Sequence, residues 1–379
     1  MRILIINSNF PGRLGALAHY LTASGHEVLF AARYGRREAS LPGVQRLVLK
    51  IRDVAVGEER GMVQLWKRTL HVGEQALAPL RLLAREFRPD MVLSTHAEGI
   101  AFFARALLPE AFHVFYPVAD VPWAEAGAMR DMRSLRVLQG DCCIAFTRAD
   151  VRSLPDVLQS RIRLATPWVE TGLLDPAQAK VFLPDGRTAA PELISVDMKG
   201  LDATGIRAVR RLVVDLLTLR PRCHAVLEYG QNHAGTLWLR RLPEEVRSRL
   251  HAAEFLPAAA RRDLFCTSAL HLCPNERDGL FPGRLEAMSC GALLMSPLTE
   301  EAFLKPGINM LPLPQDSRRK QLAAVLHALD HAHSHAPLRT RARQDVLTVY
   351  APELVLPAHT AMLMEAYAAH RAGKTSSCG

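Results

Sequence analysis

Two carboxylates, Asp278 and Glu286, stand eight residues apart across a polar loop and the start of a short amphipathic segment, Arg284–Ser289. An apolar run, Ala269–Cys273, leads into the loop. Gly291 stops the amphipathic segment, and a second apolar run, Ala292–Ser296, follows. The order predicts strand, loop, helix and strand, a compact parallel crossover. In an open α/β sheet, the loop after a strand's carboxyl end faces the ligand crevice. A helix start there offers unpaired backbone N–H groups to an anion. This one loop therefore brings two acids and an anion-binding helix start to the same sheet edge.

Other loops carry further candidates. In Asn7–Gly15, Gly12 and Gly15 allow the backbone to approach a ligand, and a helix start follows Arg13. The dinucleotide fingerprint GxGxxG is absent. Thr95-His96-Ala-Glu98 follows an apolar strand, and a histidine titrates near neutrality. Asp120 lies in Tyr116–Trp123, where an aromatic and two prolines suit either an acceptor platform or a loop anchor. Lys199 is the strong cation of the loop after Leu193–Val196. There is no DxD, HExxH or cysteine cluster, so no metal is expected.

The segment Asp278-Gly-Leu-Phe-Pro-Gly-Arg-Leu-Glu286-Ala-Met-Ser-Cys-Gly291 resembles the donor-sugar motif of the GT-B glycosyltransferases of group 1, or family 4. That motif is Glu, seven residues, Glu, then Ala-Met-x-x-Gly; here the first acid is Asp. Gly25-His-Glu-Val28 resembles the family's Gly-His-x-Val. The resemblance implies a nucleotide-diphosphate sugar as co-substrate, no other cofactor, no metal, and retention of anomeric configuration. It implies that Glu286 bonds the ribose and Asp278 the sugar hydroxyls. Gly279, Leu280 and Phe281 would run beside the sugar and phosphates. Gly12, Arg13 and Gly15 would meet the diphosphate, and His96 the junction of sugar and acceptor. Glu98 and Asp120 are weaker acceptor-side candidates. The family's diphosphate-binding Arg and Lys fall on Met198 and near Thr204, which leaves Lys199 as the cation, with Arg207 and Arg210 behind it. Residues 163–169 lack the Gly and Asp usual in the family's strand into its interdomain linker.

These residues need two alternating frameworks to position them. Strand signals at Arg2–Asn7, His26–Ala32, Val44–Lys50, Met91–Ser94, Phe112–Tyr116 and Cys142–Phe146 alternate with helix signals. A second series has strands Leu193–Val196, Ala225–Tyr229 and Glu254–Leu256, with helices Ile206–Leu219, Glu244–His251 and Ala258–Cys266. The expected fold class is α/β with GT-B architecture: two Rossmann-like doubly wound domains facing a cleft. The domains are expected at 1–172 and 192–350, with a turn-rich linker at 173–191. A C-terminal helix and polar tail, 351–379, would pack back on the first domain. Hinge motion near residues 171–191 would close the cleft.

The 379 residues carry 47 Lys and Arg against 38 Asp and Glu, a formal charge of +9. Basic clusters without a nucleic-acid motif exclude nucleic acid as the expected partner and leave an anionic membrane face as one candidate. Seven cysteines without ligand spacing suit a reducing compartment. The opening residues lack the sections of a secretion signal, so a cytoplasmic protein is expected, peripheral at the inner membrane face. The expected activity is sugar transfer to a lipid-linked glycan, a protein or a small metabolite. Two alternatives are a catalytically weak GT-B binding or scaffold partner and a nucleotide-sugar epimerase.

Overall fold

A computed structural model describes the chain except residues 36–38, 53–61, 96–98, 118–125, 187, 230–235, 254–255, 276–281, 298–301 and 377–379. The chain divides into two compact units. Unit 1 comprises Met1–Pro167 and Glu353–Gly379; unit 2 comprises Trp168–Pro352.

Unit 1 runs β1 (Arg2–Asn9), α1 (Gly15–Ala23), β2 (Glu27–Tyr34), β3 (Gln45–Val48), α2 (Met62–Glu86), β4 (Met91–Ser94), α3 (Ala104–Leu107), β5 (Phe112–Phe115), α4 (Ala126–Gln139), β6 (Cys142–Ala145), α5 (Arg148–Arg152), α6 (Asp156–Gln159) and β7 (Ile162–Leu164). Its parallel sheet has the order β3-β2-β1-β4-β5-β6-β7. Ile3, Leu4, Ile5 and Ile6 of β1 are all fully buried, as befits a strand covered on both faces.

Unit 2 runs β8 (Glu192–Asp197), α7 (Ala203–Leu219), β9 (Cys223–Glu228), α8 (Glu244–Arg247), β10 (Leu250–Ala253), α9 (Ala258–Thr267), β11 (Leu270–Leu272), α10 (Pro282–Ser289), β12 (Leu294–Ser296), β13 (Leu311–Pro312), α11 (Arg318–Asp330) and α12 (Ala336–Val349). The parallel sheet order is β10-β9-β8-β11-β12-β13. Helix α7 shows why these helices form. Asp202 caps it by accepting from the Gly205 N–H at 2.7 Å. Val209, Leu212, Val213, Leu216 and Leu217 repeat at helical spacing and are buried against the sheet. Burial of each such side chain contributes roughly 1.5–3 kcal/mol.

One expectation is corrected. Leu250–Ala253 is a strand, paired with Ala225–Glu228, where a helix to His251 was expected; Pro243 starts a helix that ends at Ser248 after barely one turn. The strand expected at Glu254–Leu256 falls mainly on residues 254–255, outside the described residues. The turn-rich segment after Pro167 clusters with unit 2, where Val169 and Leu174 are buried.

The last helix, α13 (Pro352–Ser376), packs on unit 1 from Glu353 onward. Tyr367 meets Phe112 edge-on at 5.8 Å, and the Tyr116 hydroxyl pairs with His359 Nε2 at 2.9 Å. Tyr116 is fully buried and forms a three-ring cluster with Phe146 and His359, which also touch each other. It is core, not an acceptor platform. The stretch Ala336–Gly373 reaches a mean hydropathy of 1.2, long and apolar enough to cross a bilayer. Val346 and Leu363 within it are fully buried in protein, and 39% of its apolar window is buried.

Candidate functional site

The acids of unit 2 gather at the carboxyl ends of its strands. Asp197 ends β8, Glu228 ends β9, and the two are direct register partners. Side by side in a buried sheet, two carboxylates repel unless cations separate them. Lys199, two residues past β8, places its Nζ 3.3 Å from Glu228 Oε2 and 3.6 Å from Asp197 Oδ1. Arg261 on α9 supplies the second cation. Its Nε lies 3.5 Å from Glu228 Oε2, and its Nη1 donates to Glu286 Oε2 at 2.7 Å. Glu286 sits on α10. The cluster therefore holds three carboxylates and two cations, drawn from β8, β9, α9, α10 and the loop after β8.

The position is the topological switch of the sheet. β8 pairs with β9 on one side and with β11 on the other, so the connections diverge there. Such crevices are where open α/β sheets bind ligands.

Neighbouring contacts hold the cluster in shape. The fully buried Arg284 of α10 donates from Nη2 to the Asn275 carbonyl at 2.5 Å and from Nε to Cys273 Sγ at 3.3 Å. Asn275 Nδ2 donates to the Lys199 carbonyl at 3.2 Å, tying the loop after β11 to the loop after β8. Gly283, in the first turn of α10, packs so tightly on Asp197 that a Cβ would lie 2.9 Å from its Oδ2. Beneath the cluster, on paired strands, Ser195 Oγ and His271 Nδ1 are 2.9 Å apart. Burial lowers the His271 pKa to about 4, so the ring is neutral at pH 7.

Protonation follows from the same geometry. Burial alone would lower the Lys199 pKa, but Asp197 and Glu228 more than offset it and hold the ammonium above its ordinary value. Arg261 is likewise held charged, by Glu286 and Glu228 against its burial. Burial raises the Glu228 pKa against the opposing pull of Lys199 and Arg261. The group can hold a polyhydroxylated anion: carboxylates accept from hydroxyls, and a guanidinium and an ammonium meet phosphate oxygens. Among the described residues, no group of three or more His, Cys, Asp or Glu is arranged to hold a metal ion.

Of the residues expected from sequence, Glu286 and Lys199 lie in this cluster. Lys199 is not an unopposed phosphate cation, because two carboxylates already face it. Arg207 and Arg210 are engaged elsewhere, Arg207 with Thr204 Oγ1 at 3.1 Å and Arg210 over the Trp238 ring at 4.6 Å. Gly12 and Arg13 lie in unit 1 between β1 and α1, and Gly15 begins α1. Gly12 adopts φ +50°, and a Cβ on it would meet Asn7 Nδ2 at 2.3 Å. Asn7 Oδ1 in turn accepts from Thr95 Oγ1 at 2.8 Å, joining the ends of β1 and β4. His96, Glu98, Asp120, Asp278, Gly279, Leu280 and Phe281 lie outside the described residues.

No protein-family profile and no curated protein matches this sequence. Solved structures do match. Sucrose-phosphate synthase from Thermosynechococcus elongatus aligns over 97% of this chain and 100% of its own, at 13% identity and a TM-score of 0.72. Anabaena HepE in complex with UDP-glucose aligns over 96% and 100%, at 10% identity and 0.68. WaaG, a glycosyltransferase involved in lipopolysaccharide biosynthesis, aligns over 93% and 98%, at 13% identity and 0.63. The fold is GT-B.

Sequence reading of this GT-B chain missed Arg261, Glu228 and Asp197 as a unit. Arg261 and Arg262 are one of the basic clusters of the sequence, yet Arg262 is buried and the Arg261 side chain is only 19% exposed. The available signal was helical spacing, since Arg261 shares a face with Leu264 and Phe265, three and four residues on. For Glu228 it was an acid closing an otherwise apolar strand, Ala225–Leu227.

Proposed function

We propose that this protein is a glycosyltransferase that takes a sugar from a nucleoside diphosphate donor, with the nucleotide bound at the carboxyl end of the unit 2 sheet. The observation that carries this reading is Glu286, presented by α10 at the sheet's switch point beside two cations. The GT-B likeness supports it, since HepE binds UDP-glucose in the same fold. In this proposal Glu286 accepts from the ribose hydroxyls and Asp278 from the sugar, with Gly279, Leu280 and Phe281 alongside. Lys199 and the turn at Gly12, Arg13 and Gly15 serve the diphosphate. His96 serves the sugar–acceptor junction, and Glu98 and Asp120 the acceptor side.

In the proposed reaction, the bond from the anomeric carbon to the diphosphate oxygen breaks. A new bond forms from the same carbon to an acceptor hydroxyl oxygen, and the hydroxyl proton passes to the departing diphosphate. Configuration is retained and no metal takes part. The acceptor is a lipid-linked glycan, a protein or a small metabolite. The protein is cytoplasmic in this proposal, and the +9 charge suits contact with an anionic membrane face.

One observation favours a second reading. Among the described residues, Lys199 and Arg261 are already ion-paired to three carboxylates, a poor setting for charge developing on a leaving diphosphate. A nucleotide-binding protein with weak transfer would tolerate that balance. The deciding experiment incubates wild type and Glu286→Ala with UDP-, GDP- and ADP-sugars and analyses the products. Release or transfer of sugar with free nucleoside diphosphate, lost in Glu286→Ala, supports the transferase. Nucleotide binding without turnover supports the second reading, and an epimerised donor contradicts both.

A further inference from the structure

Arg261 is held unequally at its two ends. Its Nε end faces Glu228, whose side chain is only 4% exposed, at 3.5 Å. Its Nη1 end meets Glu286, which is 22% exposed, at 2.7 Å. Glu228 is fixed in the sheet, its backbone paired with Asp197 and its carboxylate against Lys199. The guanidinium thus has a buried ion-pair partner at Nε, without a hydrogen bond, and a hydrogen-bonded, solvent-reachable partner at Nη1. A planar guanidinium can keep the first contact and re-aim the second.

The charges around it constrain what a ligand can do. Lys199 is already opposed by Asp197 and Glu228. A diphosphate arriving here adds negative charge beside three carboxylates that already occupy Lys199 and Arg261. The charge most readily turned toward it is the Nη1 end of Arg261, provided that Glu286 is given another partner. A ribose offers that partner: its two vicinal hydroxyls donate to one carboxylate. Within one nucleotide, diol and diphosphate are separated by a single methylene-linked ester, which suits an adjacent carboxylate and guanidinium.

We propose that Arg261 is a phosphate-binding residue of the donor site, and that nucleotide binding exchanges the Arg261–Glu286 ion pair for two new contacts. The ribose hydroxyls take Glu286 from Arg261, and the diphosphate takes Arg261 from Glu286. This rests on the nucleotide-site reading above. It assigns the second phosphate cation to α9, where the sequence leaves Met198 in the Arg position. It also makes base-and-ribose recognition and phosphate recognition interdependent, because neither new contact forms fully until the ion pair opens.

The test is equilibrium binding of uridine, guanosine and adenosine, their diphosphates, and inorganic pyrophosphate. The proteins are wild type, Arg261→Gln, Arg261→Lys and Glu286→Gln, each checked for an unchanged circular dichroism spectrum. Removing the guanidinium unmasks Glu286, so Arg261→Gln is expected to bind nucleoside as well as wild type or better. It should bind the diphosphate at least about tenfold more weakly. Arg261→Lys should recover part of the diphosphate affinity. Glu286→Gln gives the mirror result: weaker nucleoside binding, and pyrophosphate bound at least as tightly as by wild type. The mirror variant keeps the proposal testable should Arg261→Gln fail to fold. Equal losses for nucleoside and diphosphate in Arg261→Gln, or no change in either, overturn the exchange while leaving the nucleotide site standing. Wild type that binds neither nucleoside nor diphosphate overturns the site and the exchange together.

Discussion

Gly283 shows how closely α10 is set on the acid at the end of β8. A Cβ there would lie 2.9 Å from Asp197 Oδ2, so Gly283→Ala must displace the first turn of α10 or turn the carboxylate away. The expected cost is about 1–3 kcal/mol, read as a lower urea midpoint with an unchanged slope. Three buried histidines set the response to acid. Burial lowers the pKa of His113, His271 and His359 from 6.5 to about 4. Between those values the unfolded chain takes up protons that the folded chain refuses. Stability is therefore full above pH 6.5 and falls as pH drops toward 4, by up to about 1.4 kcal/mol per pH unit for each histidine. Urea midpoints at pH 7.5 and 5 check this; a midpoint that holds or rises at pH 5 contradicts it. At this scale the sequence was only partly readable. Glu286 stood out because a spaced motif surrounds it. Arg261 did not, because a basic residue on a short helix reads as solvated unless its burial beside Leu264 and Phe265 is known.

At the scale of elements, β8 and α13 organise the molecule. β8 lies between β9 and β11, and this one strand brings Asp197 beside Glu228 and directs Lys199 to both. Apolar runs such as Leu193–Val196 are legible as strands because a parallel sheet buries both faces. Their order across the sheet is a matter of long-range pairing and is not. Leu250–Ala253 shows the limit: flanked by Arg249 and containing His251, it lacks a buried strand's composition and becomes one by pairing with β9. Helix α13 covers Phe112 and Tyr116 of unit 1 and buries Leu363 completely. Leu363→Ala is expected to cost about 2–5 kcal/mol, with the loss reported by tyrosine and phenylalanine probes of unit 1. A change below about 0.5 kcal/mol would show that α13 does not contribute to the core of that unit.

At the scale of the whole molecule, the chain leaves unit 1 after Pro167, builds unit 2, and returns at Glu353. Unit 2 is therefore one continuous segment with its own six-stranded sheet and the entire charged cluster. The fragment 168–352 is expected to unfold cooperatively on its own. The fragment 1–167 lacks the helix that covers Phe112 and is expected to be soluble only when 353–379 is supplied. Circular dichroism melts of the two fragments, the second with and without the added helix, check both statements. The two Rossmann-like units were legible from strand–helix alternation. The return of the last helix to unit 1 depends on contacts such as Tyr116 with His359, 243 residues apart, which no local pattern encodes.

The most direct test of a nucleotide site at the end of β8 is thermal or denaturant unfolding of wild type and Glu286→Ala with UDP, GDP and ADP. A nucleotide held at a hundredfold its dissociation constant should stabilise wild type by roughly 2.7 kcal/mol, and that gain should vanish in Glu286→Ala. Wild type stabilised by none of the three, or stabilised equally with and without the Glu286 carboxylate, would contradict the assignment.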